Sequence, residues 1–334
     1  MPAITSLLAV LTPFEKEHFL PNGLFEQVTK LSPKFQLIDP TGMSREAFAA
    51  ELERINPEVL LGCWSTQPLP DPLPSNLRYM CYLTGSVRRL VTRQQLVDGF
   101  IVTNWGSIIS RTVAECALFH TLASLRRATE WTYQIHLEKG WRDGWEQVKS
   151  LFNRRVGVHG YGAVAREFLK LLRPFDCTVS VLAPDFDAAA AKSTGASPAA
   201  SLESLFADND VIIELAPLNP FTAGTVTEKH LRSIRPGGVF VNVARAGITD
   251  EDALVRVARE GNLRVGLDVF VQEPLPVDSP WRGLRNVSLT PHIAGPTLDR
   301  YSDSGHYALK NLQAYVSGRP LSAIITPEIY DRAT

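Results

Sequence analysis

Three side chains able to do acid–base and electrostatic chemistry stand at the ends of successive apolar runs. Arg245 follows GVFVNVA, Glu273 follows RVGLDVF, with Asp268 inside that run, and His292 follows NVSLTP. A lone histidine in such a run is ordinarily a core residue whose hydrogen bond is met. Taken singly, Arg245 suits a helix cap and Glu273 a solvated turn before Pro274. Together they suit a reaction. An imidazolium delivers a proton near neutral pH, and a carboxylate bonded to the other ring nitrogen orients it. A guanidinium grips a carboxylate bidentately and polarises the carbonyl beside it. That set fits reduction of a carbonyl next to a carboxylate, where hydride reaches carbon as the oxygen takes a proton.

A hydride source is implied upstream. In GVHGYGAVA, Gly160, Gly162 and Ala165 fit G-x-G-x-x-[GA] between an apolar run and the helical pattern AVAREFLKLL. Gly160 permits a tight turn, Gly162 lets backbone approach a pyrophosphate, and the following helix N-terminus attracts the phosphates. Candidate cofactor contacts are Gly160, Tyr161, Gly162, Ala163 and Val164, with Ala216, Val243 and Ala244 at neighbouring strand ends. The next run, ending VLAPDFD, places Ala183 where an acid usually grips the adenosine ribose; Asp185 and Asp187 follow, and no basic residue precedes Lys192. NAD is therefore favoured over NADP, which is not excluded.

These residues need a sheet to position them. Six apolar runs from Arg155 onward, separated by helix-length spacers, have the count of a complete Rossmann sheet, in which strands 4, 5 and 6 are neighbours. Arg245, Glu273 and His292 would follow those three strands, and Thr249 with Asp252 reads as a capping box for the helix after Arg245. Five further runs, at about 4–10, 35–39, 59–64, 78–84 and 100–105, predict a small doubly wound α/β domain ahead of a long helix over 112–127. Residues 128–153 carry Trp131, Trp141 and Trp145 among charges, either a subunit interface or a seal on their own domain.

The chain of 334 residues, 45% apolar and 21% charged, is long enough for two ordinary domains. A net charge of −1 gives no reason to expect nucleic acid or an anionic membrane as partner. No apolar window is long enough for a membrane span, and the N-terminus reads as a first strand rather than a signal peptide. Cys63, Cys81, Cys116 and Cys177 form no C-x-x-C pair and show no histidine at zinc-site spacing, which points to packing roles in a reducing cytoplasm.

The second half of the chain resembles the D-isomer-specific 2-hydroxyacid dehydrogenase family, which includes phosphoglycerate, glyoxylate/hydroxypyruvate and D-lactate dehydrogenases. GVHGYGAVA resembles its glycine loop, APLNPFTAGT its P-L-T-x-x-T segment, and NVARAG its arginine motif. DVFVQEPLP and TPHIAG resemble its glutamate and histidine motifs. The resemblance implies Arg245, Glu273 and His292 as catalytic residues, with Pro217 beside the cofactor and Asp268 near the nicotinamide. It implies a Rossmann domain (113–301) inserted into a smaller flavodoxin-like α/β substrate domain (1–112 and 302–334). It also implies a homodimer, a cleft that closes on a 2-oxo or 2-hydroxy acid, and Gly85, Ser86 and Val87 as amide donors to the substrate carboxylate. Three departures bear on substrate and cofactor: Ala183 for the ribose acid, TGSVRR for the usual carboxylate loop, and WGSIIS for a loop near the nicotinamide. Trp64 either lines the substrate or packs in the core. Two other readings stay open: a nucleotide-sensing, corepressor-like binding protein, and a nicotinamide-dependent phosphite oxidation. Formate oxidation, which has no alcohol oxygen to deprotonate, is disfavoured by a Glu–His pair.

Overall fold

The computed structural model describes residues 4–332. The chain folds as two compact units: one from the residues up to Ile109 together with those from Pro296 on, the other from Ser110 to Gly295. The first carries a five-stranded parallel sheet of β1 (Leu7–Val10), β2 (Phe35–Ile38), β3 (Val59–Gly62), β4 (Tyr79–Tyr82) and β5 (Ile101–Thr103), in the order β2-β1-β3-β4-β5. That is the flavodoxin-like order. The sequences LLAV, VLLG and YMCY are wholly buried, as strands covered on both faces must be, whereas FQLI lies at the edge and is only half-buried at its ends. The Tyr301–Val316 helix returns to this unit and buries Ala308, Leu309 and Leu312 against Phe19 and Leu24. Gly305 makes that packing possible, because a Cβ there would stand 1.8 Å from the Phe19 carbonyl oxygen.

The second unit holds a seven-stranded parallel sheet. Its strands are β6 (Arg155–His159), β7 (Thr178–Leu182), β8 (Ser197–Pro198), β9 (Val211–Glu214), β10 (Gly238–Asn242), β11 (Leu263–Leu267) and β12 (Val287–Leu289). The order β12-β11-β10-β9-β6-β7-β8 is that of a Rossmann sheet extended by one strand. The sequence suggested six strands; β8 is the extra one, a two-residue bridge to β7 too short to leave an apolar run. The arginine, glutamate and histidine loops therefore follow the fifth, sixth and seventh strands of the unit, which are still adjacent.

The long helix runs Ser110–Leu125, two residues ahead of expectation, and lays the fully buried Ala114 and Ala117 against the Ala163–Leu172 helix and the sheet. Residues 128–153 form a short helix, Ala128–Thr132, a π turn, Tyr133–Leu137, and a single 3-10 turn, Trp145–Gln147. Trp131 is half-buried and donates its indole N–H to the Arg126 carbonyl, while Trp141 and Trp145 are exposed.

Candidate active site

The glycine turn follows from one steric fact. Gly160 sits at φ +96°, and a Cβ there would lie 2.7 Å from both the Ala216 nitrogen and the Leu215 oxygen. Only glycine allows that turn and that contact together. Gly162 is the N-cap of the Ala163–Leu172 helix, has no side-chain cap, and faces open space. Gly162 and Ala163 are exposed, Val164 is half-buried, and Ala165 is fully buried beneath. An uncapped N-terminus of a ten-residue helix behind an open glycine could hold a pyrophosphate. Tyr161 turns inward, its ring 4.8 Å from Phe186 and covered by the Arg166 guanidinium at 4.2 Å. Beyond β7, Ala183 packs into the core. Asp187 caps the next helix through the Ala190 amide, leaving Asp185 as the exposed acid at this strand end.

Beneath the turn lies a pair the sequence reading did not single out. His159 and Glu214, register partners at the ends of β6 and β9, join through Nδ1 and Oε2 at 2.7 Å, and Glu214 Oε1 accepts from the Ala216 amide at 2.9 Å. Burial disfavours a charged His159, but the Glu214 carboxylate outweighs it and raises the imidazole's basicity. The pair holds the Leu215–Ala216 turn against Gly160. Pro217 is exposed just beyond it, its carbonyl accepting from the Thr222 hydroxyl.

After β10, the Asn242 side chain fixes the turn Val243–Ala244–Arg245: its Oδ1 accepts from the Ala244 amide and its Nδ2 donates to the Arg245 carbonyl. Val243 is buried and Ala244 half-buried. Arg245 Nη1 donates to the Ala244 carbonyl at 2.7 Å. Burial lowers the guanidinium's pKa, and the Glu273 charge opposes that. The helix that follows is capped by Asp250, whose carboxylate accepts from the Ala253 amide. The expected Thr249–Asp252 capping box is not formed. Thr249 is buried one residue too early, its hydroxyl without a hydrogen-bond partner.

Glu273 and His292 meet. His292 Nδ1 lies 2.6 Å from Glu273 Oε2, and Glu273 Oε1 accepts from the Phe270 amide at 2.9 Å. His292 has φ +54°, a conformation that costs a non-glycine residue energy and so needs support. Asp268 supplies it. Fully buried, it accepts from the Thr290 hydroxyl at 2.6 Å, the Ile293 amide at 2.9 Å and the Ala294 amide at 2.8 Å, bracketing His292. Thr290 in turn bonds His120 Nε2 at 2.8 Å, and Ser288 bonds His120 Nδ1 at 3.0 Å. Since Thr290 donates to the carboxylate, it accepts from His120 Nε2–H, leaving Nδ1 to accept from Ser288. Burial pushes the His120 pKa down to about 4, opposed by the Asp268 charge. Cys116, one turn before His120, completes a Cys–His–Asp cluster of metal-ligating geometry, which corrects the reading that the cysteines have no histidine at such spacing. The two histidine nitrogens and both carboxylate oxygens are engaged in the hydrogen bonds just described.

The remaining expected contacts lie in the first unit. Gly85, Ser86 and Val87 follow β4, with Ser86 exposed and Val87 buried. Trp64, after β3, is 40% exposed.

A seven-stranded parallel sheet of this order, with an uncapped glycine-turn helix at its switch point, defines a dinucleotide-binding α/β protein. Residues 118–294 match the D-isomer specific 2-hydroxyacid dehydrogenase, NAD binding domain. The hydroxyphenylpyruvate reductase of Plectranthus scutellarioides is 30% identical over 233 residues, covering 69% of this chain and 72% of that protein. Glyoxylate/hydroxypyruvate reductase B of Pectobacterium carotovorum is 29% identical over 236 residues, covering 69% and 73%. The crystal structure of a glyoxylate reductase from Paecilomyes thermophila shares the fold, with a TM-score of 0.81 at 21% identity over 98% of this chain and 100% of that one. The chain belongs to the D-isomer specific 2-hydroxyacid dehydrogenase family, an NAD-dependent class of oxidoreductase. These relatives give the nucleotide-sensing alternative no support.

Proposed function

We propose that this chain interconverts a 2-oxo acid and its D-2-hydroxy acid, with Glu273–His292 as the acid–base pair and Arg245 as the substrate anchor. The 2.6 Å bond between His292 Nδ1 and Glu273 Oε2 carries the reading, because it occupies one ring nitrogen and turns the other outward. Gly160 and Gly162 would hold the pyrophosphate of a reduced dinucleotide, whose nicotinamide would supply the hydride for the carbonyl carbon. His292 Nε2 gives its proton to the carbonyl oxygen as negative charge develops there. Glu273 accepts from Nδ1–H throughout and keeps the ring aimed. The half-buried Arg245 guanidinium pairs with the substrate carboxylate and polarises the adjacent carbonyl. In the first unit, the amides of Gly85, Ser86 and Val87 are the candidate carboxylate donors. Asp185, with no basic residue between it and Lys192, favours NAD over NADP. Residues 1–112 with 302–334 act as the substrate domain in this reading.

Relatives named for glyoxylate, hydroxypyruvate and hydroxyphenylpyruvate reduction set the panel to test. Loss of NADH absorbance on adding these 2-oxo acids is expected. His292→Gln should lower turnover by about a hundredfold or more while NADH still binds. Undiminished turnover in that variant would reject the proton-transfer role.

A further inference from the structure

We infer that the 2-oxo acid reduced here carries an aromatic side chain, read by a wall of rings at the carboxyl edge of the first unit's sheet; this rests on the function proposed above. The strands β1, β3 and β4 are neighbours in that parallel sheet, so the loops after them open on one edge. Ligands of open α/β sheets bind at that edge.

The loop after β4 is held as an anion site. The Asn104 side chain donates to the Gly85 carbonyl at 2.8 Å, and the Trp105 ring packs where a Gly85 Cβ would stand. The Val87 carbonyl takes the Leu90 and Val91 amides. Among the described residues, no acceptor serves the Gly85, Ser86 or Val87 amides.

The next two loops carry rings. Trp64 follows β3 and Phe14 follows β1, at 40% and 49% exposure. Tyr301 joins them, its ring centroid 5.3 Å from Trp64 and 6.3 Å from Phe14, both edge-on, and stacks on the buried Phe19 at 4.8 Å. Glu15, 2% exposed, locks the two loops together: Oε2 accepts from the Thr12 amide at 2.9 Å and Oε1 from the Ser65 amide at 2.8 Å. Neighbouring basic residues serve backbone groups, Arg89 bonding the Trp64 carbonyl and Arg88 the Tyr330 and Asp331 carbonyls. The wall therefore presents rings where a substrate side chain must go. It begins one strand spacing, about 4.8 Å, from the carboxylate loop and ends at two, a span an aryl side chain can bridge. The hydrogen of glyoxylate or the hydroxymethyl of hydroxypyruvate would leave those rings in water, whereas an aryl ring makes edge or offset contacts with them.

The test compares kcat/KM for phenylpyruvate with that for glyoxylate under saturating NADH. Phenylpyruvate should be favoured by about tenfold or more. Trp64→Ala or Phe14→Ala should cut that ratio by about tenfold, and Trp64→Phe should largely keep it. A preference for glyoxylate, or a ratio untouched in both alanine variants, overturns the inference and leaves the proposed function standing. Absence of NADH oxidation with every 2-oxo acid rejects both.

Discussion

His120 supplies a pH dependence that can be worked out in advance. Its pKa in the folded chain is pushed down to about 4 by burial, against about 6.5 for a histidine in an unfolded chain. Between those values the unfolded chain binds a proton that the folded one refuses. The stabilisation from keeping His120 neutral is therefore complete above pH 6.5 and lost as pH falls toward 4. Linkage makes the loss negligible at pH 7 and about 2 kcal/mol at pH 5. Replacing His120 by Gln keeps a donor for Thr290 and an acceptor for Ser288 and removes the titration. Urea unfolding of both proteins at pH 7 and pH 5 gives a double difference. Carboxylates, and His159 with its opposite shift, contribute alike to both proteins and cancel. The wild type should lose about 2 kcal/mol more than His120→Gln over that interval. Equal losses would mean that His120 is protonated in the folded chain and that the Ser288–His120–Thr290–Asp268 relay is wrongly drawn.

Two further outcomes follow from the geometry. Gly160→Ala should destabilise by about 2–4 kcal/mol, from a positive φ and a Cβ driven into the Leu215–Ala216 backbone; a lower melting temperature and weaker NADH binding by fluorescence titration would register it. A homodimer sealed by Trp141 and Trp145, 71% and 58% exposed, is a proposal that sedimentation tests. Sedimentation should give a dimer for the wild type and a monomer for the Trp141→Lys, Trp145→Lys protein, and a monomeric wild type would dismiss that seam.

The strands were legible because buried parallel strands are continuous apolar runs, and LLAV, VLLG, VIIE and GVFVN are short, apolar and spaced by helix-length segments. Glycine spacing likewise revealed the turn at Gly160. What escaped was set by contacts between distant segments. β8 is a strand only because Ser197 and Pro198 lie along β7. Glu214 closes the apolar strand VIIE, and only the pairing of β9 with β6 places His159 beside it. The cap fell on Asp250 because Thr249 and Asp250 are both capping residues, and only the helix start decides between them. His120 sat one helical turn from Cys116 in plain view, yet its partners Ser288 and Thr290 lie some 170 residues away along the chain.

Because the first unit draws on segments on either side of Ser110–Gly295, its assembly has a fixed schedule during synthesis. A nascent chain that has just exposed Gly295 has every strand of both sheets but lacks the helix that buries Ala308, Leu309 and Leu312 against Phe19 and Leu24. The inner unit, continuous from Ser110 to Gly295, can close on the ribosome. The outer one must keep an apolar face waiting until the last stretch emerges. Translation thus imposes a folding order opposite to the order in which the two sheets are made.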